Sequence, residues 1–339
     1  MANSIVFLGT GGTIAGVAKQ AGDNLSYASG TLALADLLRD MPGLSPSLGN
    51  HAMVCEQVFQ HDSKDLDAGH WALLSERVAH FLTQPHVAAV VITHGTDTLE
   101  ESAYFLARTL EPALLARKPV VFTCAMRPAT SLAPDGPQNV RDAVSVALHR
   151  GACGVVLVCQ GEVHAALPLR KVHPYRLKAF DSGERGPLAL VEEGAVRTLS
   201  PWSLALDFPA LADLAALPAW PHSETGWPRV EIIWSHAGAD GAMVRALCAA
   251  PPAGDAALAG LVVAGTGNGT LHYALEAALH QAQSQGIAVV RTTRCALGQV
   301  LARADGQGAG LAAWPLPAVK ARVELMLQLK SKYLSLIHI

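Results

Sequence analysis

Short, almost wholly apolar runs recur between residues 4 and 160, and stretches with helical spacing lie between them. The runs are "SIVFLGT" (Ser4–Thr10), "AAVVIT" (Ala88–Thr93), "PVVFTC" (Pro119–Cys124) and "GVVLVCQ" (Gly154–Gln160). They are too short for buried helices, and strands covered by helices on both faces have this texture. Between them, residues 31–39, 69–82, 99–110 and 139–149 place apolar side chains on one helical face. The alternation predicts an α/β fold built on a doubly wound, mostly parallel sheet.

A change of texture divides the chain. Residues 198–228, "TLSPWSLALDFPALADLAALPAWPHSETGWP", are rich in proline and contain no strand-like run, which predicts an interdomain linker. The sheet-and-helix pattern then resumes at "VEIIW" (Val230–Trp234), "AGLVVAG" (Ala259–Gly265) and "IAVVRTT" (Ile287–Thr293). Helical spacing follows at residues 242–249, 271–285 and 317–329. The expected organisation is a larger N-terminal domain over 1–197, the linker over 198–228, and a smaller C-terminal α/β domain over 229–330. Residues 331–339, ending in "LSLIHI", carry no helical spacing and are expected to be a tail or a sequencing scar.

Bulk properties exclude several functions. Half of the 339 residues are hydrophobic, ample for two cores, and the net charge of −3 leaves no footprint for nucleic acid or an anionic membrane. No apolar run approaches the roughly 18 residues of a membrane span, and the N-terminus lacks a signal-peptide pattern. The six cysteines form no C-x-x-C pair and sit mostly in apolar runs, so reduced core thiols and a cytoplasmic location are expected. The fourteen histidines include no H-E-x-x-H motif, so neither a metal nor another cofactor is expected.

Two glycine-rich turns carry the chemistry. "LGTGGTIAG" (Leu8–Gly16) follows the first strand, where phosphate-binding loops usually sit, yet it matches neither the dinucleotide nor the P-loop pattern. The turn can therefore cradle an anion or hold up a threonine nucleophile. "ITHGTDTLEE" (Ile92–Glu101) follows a second strand. Because the carboxyl ends of neighbouring parallel strands face one crevice, Thr13 and the Thr96–Asp97 pair are expected to converge. A hydroxyl nucleophile needs a base, and Lys171, downstream of a third strand, is the candidate. Thr98 is expected to be a helix N-cap, and Glu100 and Glu101 to favour the positive end of the helix dipole. His164 and His173 flank Lys171 and are expected to be solvated loop residues, and Trp202, Trp220 and Trp227 to pack against the domains.

At these residues the chain resembles the bacterial-type L-asparaginases, the threonine amidohydrolases, over about residues 3–330. "TGGTIAG" and "THGTDTLEESAYF" carry the resemblance, supported by "AMRPATSLAPDGPQN" (Ala125–Asn139) and "GTGNGTL" (Gly265–Leu271). The resemblance implies hydrolysis of L-asparagine through an acyl-enzyme, with Thr13 as nucleophile assisted by Tyr27, and a Thr96–Asp97–Lys171 group. It implies Ser63 for the substrate α-carboxylate, Asp97 for the α-ammonium, backbone N–H groups near Gly95 and Thr96 for the oxyanion, and residues 15–31 as a lid. It implies a homotetramer built from close dimers.

Departures bear on the α-amino site. Lys64 stands where the family commonly has glutamine; the family's intersubunit asparagine aligns with Gly238; and "RCALGQVLARADGQG" offers no clear glutamate. Either Lys64 turns away to pair with Asp62 or Asp65 while Asp240 supplies a carboxylate from another subunit, or the site prefers a different small amide such as glutamine or D-asparagine. A non-catalytic amino-acid-binding protein on the same scaffold is the remaining alternative.

Overall fold

The computed structural model describes residues 3–20, 22–39, 41–209, 211, 226–249, 256–301 and 310–337, with side chains described as far as residue 331. Residues 210 and 212–225 of the 198–228 stretch, Trp220 included, lie outside the described residues. The chain divides into two compact units, Met1–Phe208 and Pro209–Ile339.

The strands of the first unit are β1 (Ser4–Gly11), β2 (Val17–Ala18), β3 (Tyr27–Ala28), β4 (Ala52–His61), β5 (Val87–Thr93), β6 (Val120–Thr123), β7 (Val155–Cys159), β8 (Glu162–Ala165), β9 (Arg170–Lys171), β10 (Phe180–Asp181), β11 (Ala189–Glu192) and β12 (Ala195–Thr198). Its helices are α1 (Leu34–Arg39), α2 (Leu44–Leu48), α3 (Ala68–Leu82), α4 (Leu99–Thr109), α5 (Pro112–Leu115) and α6 (Gly136–Ala147). Eight strands form one sheet in the order β4-β1-β5-β6-β7-β8-β11-β12. The pairs from β4 to β7 are parallel, and those from β7 to β12 are antiparallel. The four apolar runs are the four buried strands β1, β5, β6 and β7, each closed to solvent along nearly its whole length.

The chain leaves β1 toward β4 on one side and returns through β5 on the other, so the topological switch point lies between β1 and β5. Ligands of open α/β sheets bind outside the carboxyl ends of strands at such a point. Helix α6 packs on β5–β7 through Val140, Ala143 and Val144, joining the core of Ile5, Phe7 and Val91. Helices α3 and α4 pack together, with Trp71 Nε1 donating to Ser102 Oγ at 2.9 Å.

The second unit has a four-stranded parallel sheet, β13 (Arg229–Trp234), β14 (Leu258–Gly265), β15 (Ala288–Thr293) and β16 (Ala312–Ala313), in sequential order. Helices α7 (Ala242–Cys248), α8 (Tyr273–Ser284) and α9 (Ala318–Ile337) accompany it, around a core that includes Val244, Val263, Leu279 and Val289. Helix α9 continues through residues 331–337, where no proline or glycine stops it.

Candidate active site

The "LGTGGTIAG" stretch gives its two threonines different environments. Thr10, still in β1, is buried and donates its hydroxyl to the Thr93 carbonyl of β5 at 2.9 Å. Thr13 opens a short 3₁₀ turn, and its Oγ1 meets the Tyr27 hydroxyl at 2.8 Å. Gly12, at φ 81°, makes this placement possible. A methyl there would stand 2.3 Å from the Gly95 Cα. The turns after β1 and β5 thus touch backbone to backbone, which side chains would forbid. Gly95 is held just as closely, since a Cβ on it would lie 2.5 Å from the Ser63 Oγ.

Opposite this turn, Lys171 reaches over from the β9–β10 ribbon. Its Nζ donates to Thr96 Oγ1 at 2.8 Å and to Asp97 Oδ1 at 2.5 Å. The lysine head is mostly enclosed while the Asp97 carboxylate is half exposed. Ser63 is buried, and its Oγ accepts the Asp97 N–H at 3.1 Å. Thr98 stands at the N-cap position of α4, but its hydroxyl makes no cap; it donates to the Ser63 carbonyl at 2.7 Å. Glu100 does more than face a dipole, because its Oε1 accepts the backbone N–H of Lys171 at 3.3 Å. The family signature therefore binds together the turn after β4, the turn after β5 and the ribbon that carries the lysine.

Lys64 is spent inside its own turn. Its ammonium contacts Asp62 Oδ2 and Asp65 Oδ2, both at 2.9 Å. Partial burial acts to raise the Asp62 carboxyl, but hydrogen bonds and the charge of Lys64 outweigh it and hold it below the usual carboxylate range. The hydrogen bonds of Asp65 and then Asp62 keep the lysine charged.

These groups line one cavity of about 150 Å³, with Thr13, Tyr27, Asp62, Ser63, Thr96, Asp97 and Lys171 on its walls. Asn24, Leu25, Ser29, Met126, Pro174 and Tyr175 complete the lining, and sequence reasoning singled out none of them. His164 differs from expectation, while His173 does lie in a partly exposed loop. His164 lies on β8, buried, with Nδ1 2.8 Å from Ser182 Oγ and Nε2 3.4 Å from Glu162, which secures the far end of the β9–β10 ribbon. His173 Nδ1 accepts the N–H groups of Tyr175 and Arg176 at 3.0 and 2.9 Å, shaping the turn that brings Tyr175 to the cavity. His94 is wholly buried beside Gly95, whose carbonyl is 2.7 Å from Nδ1, and burial pushes its imidazole down to about 4.

Asp240 belongs to the second unit, where its Oδ1 accepts the Ala242 N–H at 2.9 Å ahead of α7. Gly238 precedes it at φ 76°. Residues 302–309 of the glutamate-poor segment lie outside the described residues. Among the described residues no group of three or more His, Cys, Asp and Glu side chains could hold a metal ion, and no helix is long and apolar enough to cross a membrane.

Comparison with known proteins agrees with this geometry. Residues 4–203 match the family model for the asparaginase N-terminal domain, and residues 229–335 match that for the glutaminase/asparaginase C-terminal domain. L-asparaginase 2 of Escherichia coli is 32% identical over 96% of this chain and 88% of its own length. The glutaminase-asparaginase of Pseudomonas fluorescens is 30% identical over 96% of this chain and 86% of its own. The crystal structure of a probable cytoplasmic L-asparaginase from Campylobacter jejuni superimposes with a TM-score of 0.81 at 30% identity, covering 98% of this chain and 99% of that one. The chain belongs to the asparaginase/glutaminase family of amidohydrolases.

Proposed function

We propose that the chain hydrolyses the side-chain amide of L-asparagine, giving L-aspartate and ammonia through an acyl-enzyme on Thr13. The observation that carries this reading is one cavity lined by both a Thr13–Tyr27 hydroxyl pair and a Thr96–Lys171–Asp97 cluster. A binding protein has no need of a hydroxyl held at hydrogen-bond distance from a second hydroxyl beside a paired lysine.

In this reading Thr13 Oγ attacks the amide carbon, and its proton passes to the Tyr27 oxygen as the Tyr27 hydroxyl gives its own proton to water. Oxyanion charge is stabilised by backbone N–H groups around Gly95 and Thr96. The carbon–nitrogen bond then breaks. The departing nitrogen gains a proton from the Lys171–Thr96 pair and leaves as ammonia. Water adds to the ester and frees aspartate and the Thr13 hydroxyl. Ser63 holds the substrate α-carboxylate and Asp97 the α-ammonium. Asp62 and Lys64 form the neighbouring wall as a neutralised pair, so Lys64 does not repel the substrate cation. No cofactor is needed.

Glutamine is the competing substrate, because relatives about as similar as the asparaginases carry the name glutaminase-asparaginase. A homotetramer of close dimers is the proposed assembly, supported by the exposed Trp234, Met243 and Tyr273 of the second unit. Asp240 is proposed to act across that contact. A cytoplasmic location is supported by six free thiols.

Hydroxylamine tests the covalent step. An acyl-enzyme formed from asparagine partitions between water and hydroxylamine, so aspartyl hydroxamate should appear as ammonia is released. Ammonia release with no hydroxamate at any hydroxylamine concentration would rule out the acyl-enzyme.

A further inference from the structure

Part of the cavity wall, Pro174 and Tyr175, stands on the loop that joins β9 to β10. Among the described residues the backbone bonds of this loop lie near its base, where the Val172 and His173 N–H groups share the Ala179 carbonyl at 2.7 and 3.3 Å. Beyond that base a side chain does the holding. Pro174 has no N–H, and the next two N–H groups, of Tyr175 and Arg176, both donate to His173 Nδ1 at 3.0 and 2.9 Å. Proline sets φ at the second position of such a turn, and an acceptor at the first position closes it.

This geometry fixes the state of the ring. A ring nitrogen that accepts two N–H bonds carries no proton of its own, so the imidazole is neutral with its proton on Nε2. An imidazolium has N–H groups on both nitrogens and would set Nδ1–H against the two backbone N–H groups. Imidazole is the side chain that makes this change between about pH 5 and 8.

The charged groups around the loop are committed elsewhere. On the ribbon, Lys171 contacts Asp97, the Asp181 carboxylate accepts the Gly183 N–H, and Arg176 is exposed. Lys178 pairs with Glu162 of β8, which also meets His164. From α4, Glu100 acts on Arg170 and accepts the Lys171 N–H. Lys171 thus has its anchors in Glu100, Thr96 and Asp97, none of which involves His173.

We propose that His173 is a positioning residue for substrate binding: as a neutral acceptor it fixes the turn that sets Pro174 and Tyr175 in the cavity wall, and its protonation releases that wall. The proposal rests on the amidohydrolase reading above.

The test measures KM and kcat for L-asparagine at pH 7.5 and 5.5 in the wild type, His173→Ala and His173→Asn. His173→Ala should raise KM about fivefold over the wild type at pH 7.5, the size expected for loss of one ordinary hydrogen bond. The ratio should fall toward one at pH 5.5, where the wild type has lost the same acceptor. Because Lys171 keeps its anchors, kcat should stay within about twofold of the wild type. His173→Asn has an oxygen that accepts both N–H groups and does not titrate. It should match the wild-type KM at pH 7.5 and bind asparagine more tightly than the wild type at pH 5.5. A KM ratio for His173→Ala that is the same at both pH values, or a kcat that falls with it, overturns the assignment. So does a His173→Asn protein that binds no better than His173→Ala at pH 7.5. A wild type that releases no ammonia from asparagine overturns the amidohydrolase reading and this assignment with it. Turnover by the wild type with His173→Ala indistinguishable from it removes only the His173 assignment.

Discussion

His94 shows how one residue couples the site to acidity. It sits between the strand β5 and Gly95, wholly buried, with burial holding its imidazole near 4 against an ordinary 6.5. The unfolded chain therefore takes up this proton first as pH falls. The neutral ring's contribution to stability is full above about 6.5 and is lost progressively as pH falls toward 4, by up to about 3 kcal/mol. Urea titrations at pH 7.5 and 4.5 should show this loss, and His94→Asn, which keeps a donor for the Gly95 carbonyl but does not titrate, should flatten it. An identical acid slope in the variant would assign the loss to other groups. Much at this scale was legible in the sequence: Thr13, Thr96 and Asp97 stand in glycine-rich turns that follow apolar strands, Lys171 lies downstream of a third, and Ser63 came only from the family resemblance. The lining residues Asn24 and Tyr175 were not legible, because they come to the cavity only through the folded loops that carry them. Glu100 carried a sufficient local explanation as a helix-dipole partner, which hid its bond to a backbone N–H 71 residues away.

The lid and the β9–β10 ribbon are the elements that complete the cavity, and both are held from outside it. Asp135 accepts the N–H groups of Met126 and Arg127 at 3.0 Å, fixing the segment from which Thr130 reaches the lid. Thr130→Val keeps the shape and removes the acceptor for the Ala18 N–H. It should speed tryptic cleavage after the exposed Lys19 about fivefold, as expected for loss of one ordinary hydrogen bond. Thr130→Ser should behave like wild type, and equal cleavage in Thr130→Val would show that the bond does not hold the lid. Apolar runs revealed the buried strands because both their faces are covered. The edge strand β4 escaped because its residues are mostly exposed, as in "AMVCEQVFQH", and leave little apolar pattern. Strands β8, β11 and β12 are only four residues long, too short for a pattern to stand out. Helix α6 begins at Gly136 and not at Asn139, because the Gly136–Pro137 pair occupies the first turn, where proline's missing N–H costs nothing.

Across the whole molecule, the two family domains correspond to two α/β units with separate cores, and every residue lining the cavity belongs to the first. The second unit contributes its own parallel sheet and exposed aromatic side chains. Strand–helix alternation made this division readable, since the pattern stops in the proline-rich segment and restarts at β13. Orientation of Lys64 could not be read in the same way: three charged residues in "DSKD" allow several pairings, and only the folded turn places its ammonium between Asp62 and Asp65. The central claim is that Thr13 is the nucleophile of an amide hydrolysis acting on L-asparagine. Ammonia release from L-asparagine by the purified protein, measured beside a Thr13→Ala variant of unchanged circular dichroism, tests it most directly. The account predicts steady release by the wild type and a loss of about a thousandfold or more in the variant. A Thr13→Ala protein that releases ammonia at the wild-type rate, or a folded wild type that releases none, would contradict it.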